Sequence, residues 1–139
     1  MTRNPVPADP AVIVIDACAL AGLVLPDETA TGLARVLPQA EPIAPQLLWA
    51  EMRNLLLMAE RRGRIGAGIV MAALSVVEGL AIDLDRQPAS DRVMDLARRH
   101  GLTVYDAIYL ELALRRGAGL ASADAALIRA ARVEGVVVV

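Results

Sequence analysis

Four carboxylates stand where they could act together on one substrate. Three are aspartates near the ends of predicted strands: Asp16 in VIVIDACALAGL, Asp106 in TVYDAIYLELA and Asp124 in GLASADAAL. The fourth, Glu51, lies on a predicted helix and shares an apolar face with leucines three and four residues away. Burying a charge without a partner is costly, so the position of Glu51 calls for a partner.

Each acid also has an ordinary structural explanation. Aspartate is a favoured helix N-cap, and each of the three aspartates stands where it could cap a helix. Glu51 alone could reach solvent or pair with a neighbouring side chain. Four carboxylates in one cleft, however, repel each other unless a cation lies among them, and oxygen ligands suit Mg²⁺ or Mn²⁺. Two such ions roughly 4 Å apart could activate water and stabilise the leaving oxygen in phosphodiester hydrolysis.

Strands and helices alternate along nearly the whole chain. The residue pattern predicts strands over 12–15, 43–44, 81–84, 103–104, 120–121 and 136–139, and helices over 27–37, 46–62, 67–79, 90–100, 106–116 and 125–133. This alternation predicts an α/β fold with a mainly parallel central sheet. In such sheets ligands bind outside the carboxyl ends of the strands, where the strand order reverses, so the three aspartates are expected to converge there. We expect residues 1–10 to be a short flexible leader and residues 11–139 to form a single domain.

Composition narrows the possible functions. The formal net charge is -2, which disfavours a broad, non-specific nucleic-acid binder. Every basic residue other than His100 is an arginine, so no mechanism that needs a lysine can operate. No apolar run is long enough to span a bilayer, and MTRNPVPADP lacks the apolar segment of a secretory signal. We therefore expect a cytoplasmic protein with no membrane association.

Other chemistries are weakened by particular residues. His100 is the only histidine, which excludes a two-histidine acid–base ribonuclease within one chain, and it is expected at the surface. Cys18 is the only cysteine and is expected to be a small buried side chain. Asp83 and Asp85 in IDLDR resemble the aspartate pair of haloacid-dehalogenase-like phosphatases, but Gln87 stands where Thr or Val is usual. They are expected to face solvent on an edge strand.

The segments IDACAL, LLWAEMRNLLLMAERRGRI, LTVYDAIYLELALRRG and LASADAAL together resemble the PIN domain. More closely, they resemble the VapC-type ribonuclease toxins of bacterial toxin–antitoxin pairs, over nearly the whole chain from 12 to 138. The resemblance implies a three-layer α/β/α sandwich, an acidic Mg²⁺ or Mn²⁺ site and RNA cleavage. It also implies the catalytic and metal-binding residues Asp16, Glu51, Asp106 and Asp124, with Ser122 supporting the site.

The same resemblance implies biological partners and a cellular role. It implies an endoribonuclease that cuts tRNA or ribosomal RNA, inhibits translation and growth, and forms a homodimer. A small VapB-like antitoxin would cover its cleft. Cys18 stands where the family often has Ser or Thr, and a thiol is a weaker hydrogen-bond partner for Asp16.

Two further functions stay open from the residues alone. The chain could be a non-catalytic PIN-like module that binds RNA or protein, although it keeps all four acids. It could also be a small-molecule phosphatase with a nucleophilic aspartate. The arginine pairs at 61–62, 98–99 and 115–116 end predicted helices, so they could be surface residues matched to the helix dipole or could bind RNA phosphates.

Overall fold

A parallel sheet with helices on both faces forms the centre of the molecule. The computed structural model describes residues 8–25 and 31–139. Its strands are β1 (Val12–Ile15), β2 (Glu41–Pro45), β3 (Asp83–Asp85) and β4 (Gly119–Ala121). The described helices are α1 (Ala17–Val24), α2 (Thr31–Val36), α3 (Leu47–Arg61), α4 (Ala67–Gly79), α5 (Ser90–His100), α6 (Val104–Arg116) and α7 (Ala125–Val133).

The sheet is buried because its central strand is apolar on both faces. Ile13, Val14 and Ile15 in β1 are all fully buried. Side chains alternate along a strand, so Ile13 and Ile15 join the core beneath α1 to α4, whereas Val14 joins the core beneath α5 to α7. These two cores on opposite faces confirm the predicted three-layer α/β/α sandwich.

The strand order reverses beside β1. The order is β3-β2-β1-β4 and every pair is parallel. The chain therefore adds β2 and β3 on one side of β1 and then adds β4 on the opposite side of β1. Ligands bind at such a reversal, outside the carboxyl ends of the strands. The backbone N–H of Asp16 donates to the carbonyl of Ala121 at 3.1 Å, which joins β1 and β4 at this point.

Three predicted elements differ from the structure. The strand predicted over 103–104 is wrong: Thr103 is the N-cap of α6, and its Oγ1 accepts a hydrogen bond from the backbone N–H of Asp106 at 3.2 Å. The strand predicted over 136–139 is reduced to one bridge between Leu120 and Val138. Helix α1 was not predicted, and the helix predicted over 27–37 is described only as α2, since its first residues lie outside the described part.

Three side chains also differ from expectation. Cys18 is exposed, not buried. His100 is largely buried, with its Nε2 2.8 Å from Oε1 of Glu134, not free on the surface. Asp83 is exposed on the edge strand as predicted, but Asp85 is held by Arg115 and does not simply face solvent. No helix in residues 8–25 and 31–139 has the length and apolar character needed to cross a membrane.

Candidate active site

Asp16 is held through both of its carboxylate oxygens. Its Oδ1 accepts a hydrogen bond from the backbone N–H of Ala19 at 2.8 Å, which makes it the N-cap of α1. Its Oδ2 accepts a hydrogen bond from the hydroxyl of Ser122. The residue is only 6% exposed. Capping α1 therefore does not exclude Asp16 as a site residue, because the same carboxylate caps the helix through one oxygen and bonds Ser122 through the other.

Ser122 connects the end of β1 to the start of α7. While its hydroxyl donates to Asp16, its Oγ accepts a hydrogen bond from the backbone N–H of Asp124 at 3.0 Å. Asp124 in turn caps α7, with Oδ1 accepting from the backbone N–H of Leu127 at 2.8 Å. The loop after β4 thus carries an oriented carboxylate beside Asp16.

Asp106 reaches the site from the first turn of α6. The alternative explanation, that Asp106 caps this helix, is wrong, because Thr103 occupies the N-cap position. The side chain of Asp106 is therefore not used to close the helix end. A carboxylate in the first turn is also favoured by the positive end of the helix dipole.

Glu51 is anchored by a residue that the sequence did not single out. The hydroxyl of Tyr109 donates to Oε1 of Glu51 at 2.7 Å across 58 positions of sequence. Tyr109 is 2% exposed, so its hydroxyl needs a partner inside the protein. The sequence offered one signal for Tyr109, its place as the second tyrosine of YDAIY, three residues after Asp106. Spacing along the chain could not predict its partner, because Glu51 lies on another helix.

The acids influence one another electrostatically. Burial raises the pKa of Asp16, and the nearby charges of Asp106 and Asp124 raise it further. Burial also raises the pKa of Asp106, with added repulsion from Asp124 and Glu51. The structure thus brings all four acids named from the sequence into one electrostatic cluster, although Asp16 and Asp124 precede α1 and α7 while Glu51 and Asp106 lie on α3 and α6.

The donor set fits a hard divalent cation. It consists of carboxylate oxygens, which suit Mg²⁺ or Mn²⁺, and a cation would offset the repulsion that adds to the effect of burial on the pKa values of Asp16 and Asp106. In residues 8–25 and 31–139, no three or more His, Cys, Asp or Glu side chains are grouped closely enough to hold a metal ion together. Mg²⁺ is usually held by one or two carboxylates and several waters, so a closed protein cage is not required.

Comparison with known proteins identifies the fold. The family model described as PIN domain matches residues 13–133. Ribonuclease VapC3 from Pyrobaculum aerophilum is 31% identical over 117 residues, which make up 81% of this chain and 88% of that relative.

Solved structures show the same architecture. The crystal structure of PAE2754 from Pyrobaculum aerophilum aligns with a TM-score of 0.73 and 25% identity, covering 92% of this chain and 90% of that one. VapC20 from Mycobacterium tuberculosis, described as a sarcin–ricin-loop-cleaving toxin, aligns with a TM-score of 0.60 at 17% identity over 85% of this chain and 94% of its own. FitAcB from Neisseria gonorrhoeae aligns with a TM-score of 0.59 at 16% identity over 91% and 96%. With a family model spanning most of its length and a VapC ribonuclease as a relative, the chain belongs to the PIN-domain family and is of the VapC ribonuclease type.

Proposed function

We propose that this chain is a Mg²⁺- or Mn²⁺-dependent endoribonuclease, the toxin of a toxin–antitoxin pair, with Asp16, Glu51, Asp106 and Asp124 as its catalytic and metal-binding residues. The observation that carries the proposal is the cluster of these acids at the carboxyl edge of the sheet, where burial first and repulsion between the acids second raise the pKa values of Asp16 and Asp106. A protein has little reason to maintain such repulsion unless a cation offsets it.

The chain's own residues prepare the site before any ligand arrives. Ser122 and the backbone of α1 hold Asp16 in one orientation, and the backbone of α7 holds Asp124 through Oδ1. When bound among these acids, a divalent cation supplies the Lewis acidity that lowers the pKa of an attacking water and stabilises charge on the leaving oxygen. Tyr109 keeps Glu51 directed into the same cluster.

The proposed substrate is a structured RNA, either tRNA or ribosomal RNA, whose cleavage inhibits translation and growth. This follows from the likeness to a named ribonuclease and to a toxin described as cleaving the sarcin–ricin loop. A VapB-like antitoxin that covers the acidic cleft belongs to the same proposal, as does action in the cytoplasm. Cleavage by the chain in complex with its antitoxin is expected to be slower than cleavage by the free chain.

A homodimer is also part of the proposal. Helix α4 has a single buried residue, Ala73, and carries Ile69 and Val76 seven residues apart on one face, 40% and 51% exposed. Contiguous exposed apolar surface typically marks an interaction site. Light scattering on the purified chain is expected to give twice the monomer mass, and a monomer mass would remove this part of the proposal.

The direct test is cleavage of total cellular RNA by purified, antitoxin-free protein with Mg²⁺, with Mn²⁺ and with EDTA. We expect discrete fragments with either metal and none with EDTA. Asp106→Asn removes a charged oxygen at nearly constant volume, so it should abolish cleavage without unfolding the protein. Asp83→Asn, a matched change at an exposed acid on β3, should cleave like wild type.

The outcome separates catalysis from binding. A fully active Asp106→Asn variant would make the site assignment wrong. Folded wild type that binds RNA but cleaves none with either metal would favour the alternative, a non-catalytic PIN-like binding module.

A further inference from the structure

The residues that directly follow the four parallel strands differ in charge across the sheet. In sheet order they are Arg86 after β3, Gln46 after β2, Asp16 after β1 and Ser122 after β4. Neighbouring strands lie about 4.8 Å apart, so the backbone of Arg86 stands roughly 10 Å from that of Asp16 along this edge. One half of the carboxyl edge is therefore acidic, and the other half carries a guanidinium and an amide.

Arg86 borders a shallow depression of about 230 Å³ at this edge. Its polar lining includes Gln46, and its apolar walls come from Pro45, Leu47, Pro88 and Ile108. Ligand pockets usually combine apolar walls with a small number of placed polar groups. This volume is below the range typical of whole small-molecule sites, so the depression suits one fragment of a longer ligand.

The acid that also lines the depression is already neutralised. Both oxygens of Asp85 accept hydrogen bonds from the Arg115 guanidinium, at 3.0 and 2.7 Å, and this pairing lowers the pKa of Asp85. The Asp85 carbonyl also accepts from the backbone N–H of Gln46 at 2.8 Å, which fixes the turn that carries Arg86. In the described part of the chain no carboxylate forms an ion pair with Arg86 itself, so its charge is available to a ligand.

The arginine pairs that the sequence singled out are less suited to this role. Arg115 is engaged by Asp85 and Glu111, and Arg99 is engaged by Asp95 and Glu134. Arg61 and Arg62 lie at the far end of α3, which begins at the carboxyl edge and runs 15 residues away from it.

We propose that the Arg86 depression is a phosphate-binding subsite for the RNA substrate, an inference that rests on the proposed nuclease function. A polyanion that approaches four carboxylates needs cations beside them. Arg86 holds a phosphate next to the scissile one, Gln46 adds a polar contact, and the apolar walls accommodate the attached ribose and base. Single-stranded RNA crossing the strand ends then lies over both the subsite and the acids.

The test compares wild type with Arg86→Gln, Arg86→Lys and a control, Arg62→Gln, at an exposed arginine remote from the carboxyl edge. The probe is a fluorescein-labelled single-stranded RNA oligonucleotide of mixed sequence. Its affinity is measured by anisotropy in EDTA over a range of salt concentrations, and its cleavage is measured with Mg²⁺ and with Mn²⁺. Arg86→Gln should weaken binding roughly three- to tenfold and lower the salt slope by about 0.7, the value for one phosphate contact on a single strand. It should raise KM more than it lowers kcat.

The two other variants sharpen the result. Arg86→Lys should keep the salt slope because it keeps the charge, and Arg62→Gln should match wild type. Unchanged affinity and slope in Arg86→Gln would overturn the subsite, as would an equal loss in Arg62→Gln, which would indicate diffuse attraction.

The subsite and the nuclease function can fail separately. Wild type that cleaves RNA while Arg86→Gln binds normally would remove the subsite and keep the nuclease. Arg86-dependent binding without cleavage under either metal would remove the nuclease and keep the subsite. Wild type that neither binds nor cleaves RNA would overturn both.

Discussion

Asp16 and Glu51 are carboxylates held in different ways. Asp16 is fixed by local bonds, from the first turn of its own helix and from Ser122 on the neighbouring strand end. Glu51 depends on one long-range bond from Tyr109, whose buried hydroxyl has its proton directed at Oε1. Partners behind a metal-binding carboxylate fix its orientation, and their loss usually costs about 10- to 100-fold in metal affinity or activity.

Tyr109→Phe therefore tests the orientation of Glu51. We expect Mn²⁺ affinity, measured by calorimetry, and RNA cleavage each to fall roughly tenfold, while the free energy of unfolding changes by only about 1 kcal/mol because the ring still fills its space. Tyr105→Phe, on the same helix but 60% exposed, is the matched control and should behave like wild type. Equal Mn²⁺ affinity in the two variants would show that Glu51 does not need this bond.

Helix α6 carries both Asp106 and Tyr109, so the residue at which this helix begins determines where both side chains lie. The helix begins with the Thr103 cap, and its predecessor α5 ends just before it at Gly101, which adopts a left-handed conformation with φ of 63°. Glycine is favoured there because a side chain would be strained at positive φ. The short segment from Gly101 to Thr103 thereby turns the chain and sets where α6 starts.

Thr103→Ala should destabilise the protein by about 1 kcal/mol, because the backbone N–H of Asp106 loses its acceptor. Urea denaturation measures this change, and Thr103→Ser should restore most of it by keeping the hydroxyl. Cleavage should also fall in Thr103→Ala, since Asp106 lies in the turn that frays. Wild-type stability in Thr103→Ala would mean that α6 is held by packing alone.

At the scale of the whole molecule, the acidic cluster opposes folding when no cation is present. The pKa values of Asp16 and Asp106 are raised in the folded state, so the folded protein binds protons more tightly than the unfolded chain does. Between the ordinary pKa of aspartate and these raised values, the free energy of unfolding must fall as pH rises. At neutral pH the cluster is destabilising, and a cation that binds only the folded state should offset this.

Thermal melts in EDTA should therefore show Asp106→Asn to be more stable than wild type at neutral pH. The difference should shrink as the pH falls through the raised pKa values, where wild type becomes protonated. Mn²⁺ should raise the melting temperature of wild type and of Asp83→Asn but not that of Asp106→Asn. An Asp106→Asn variant that is less stable than wild type at every pH would contradict the sign of this effect.

Local sequence determined much of the architecture. Helix limits at 67–79, 90–100 and 125–133 were predicted correctly because capping and glycine stop signals act within a few residues. The α/β class followed from the alternation of elements. The strand predicted over 103–104 failed because Thr103 favours a strand and a helix cap alike, and only its bond to Asp106 separates them. Helix α1 was missed because its run of small residues carries no periodic signal.

Contacts between distant segments were decided by the tertiary structure alone. The four acids were named from sequence, but their closeness depends on β4 returning to the side of β1, which no local pattern encodes. The same holds for Tyr109 with Glu51, for Arg115 with Asp85, and for Arg86 on the edge that carries Asp16. Residue type and spacing determine which chemistry is possible. Strand order determines which groups lie close together. That order results from packing of the whole chain, so a local sequence pattern cannot predict it.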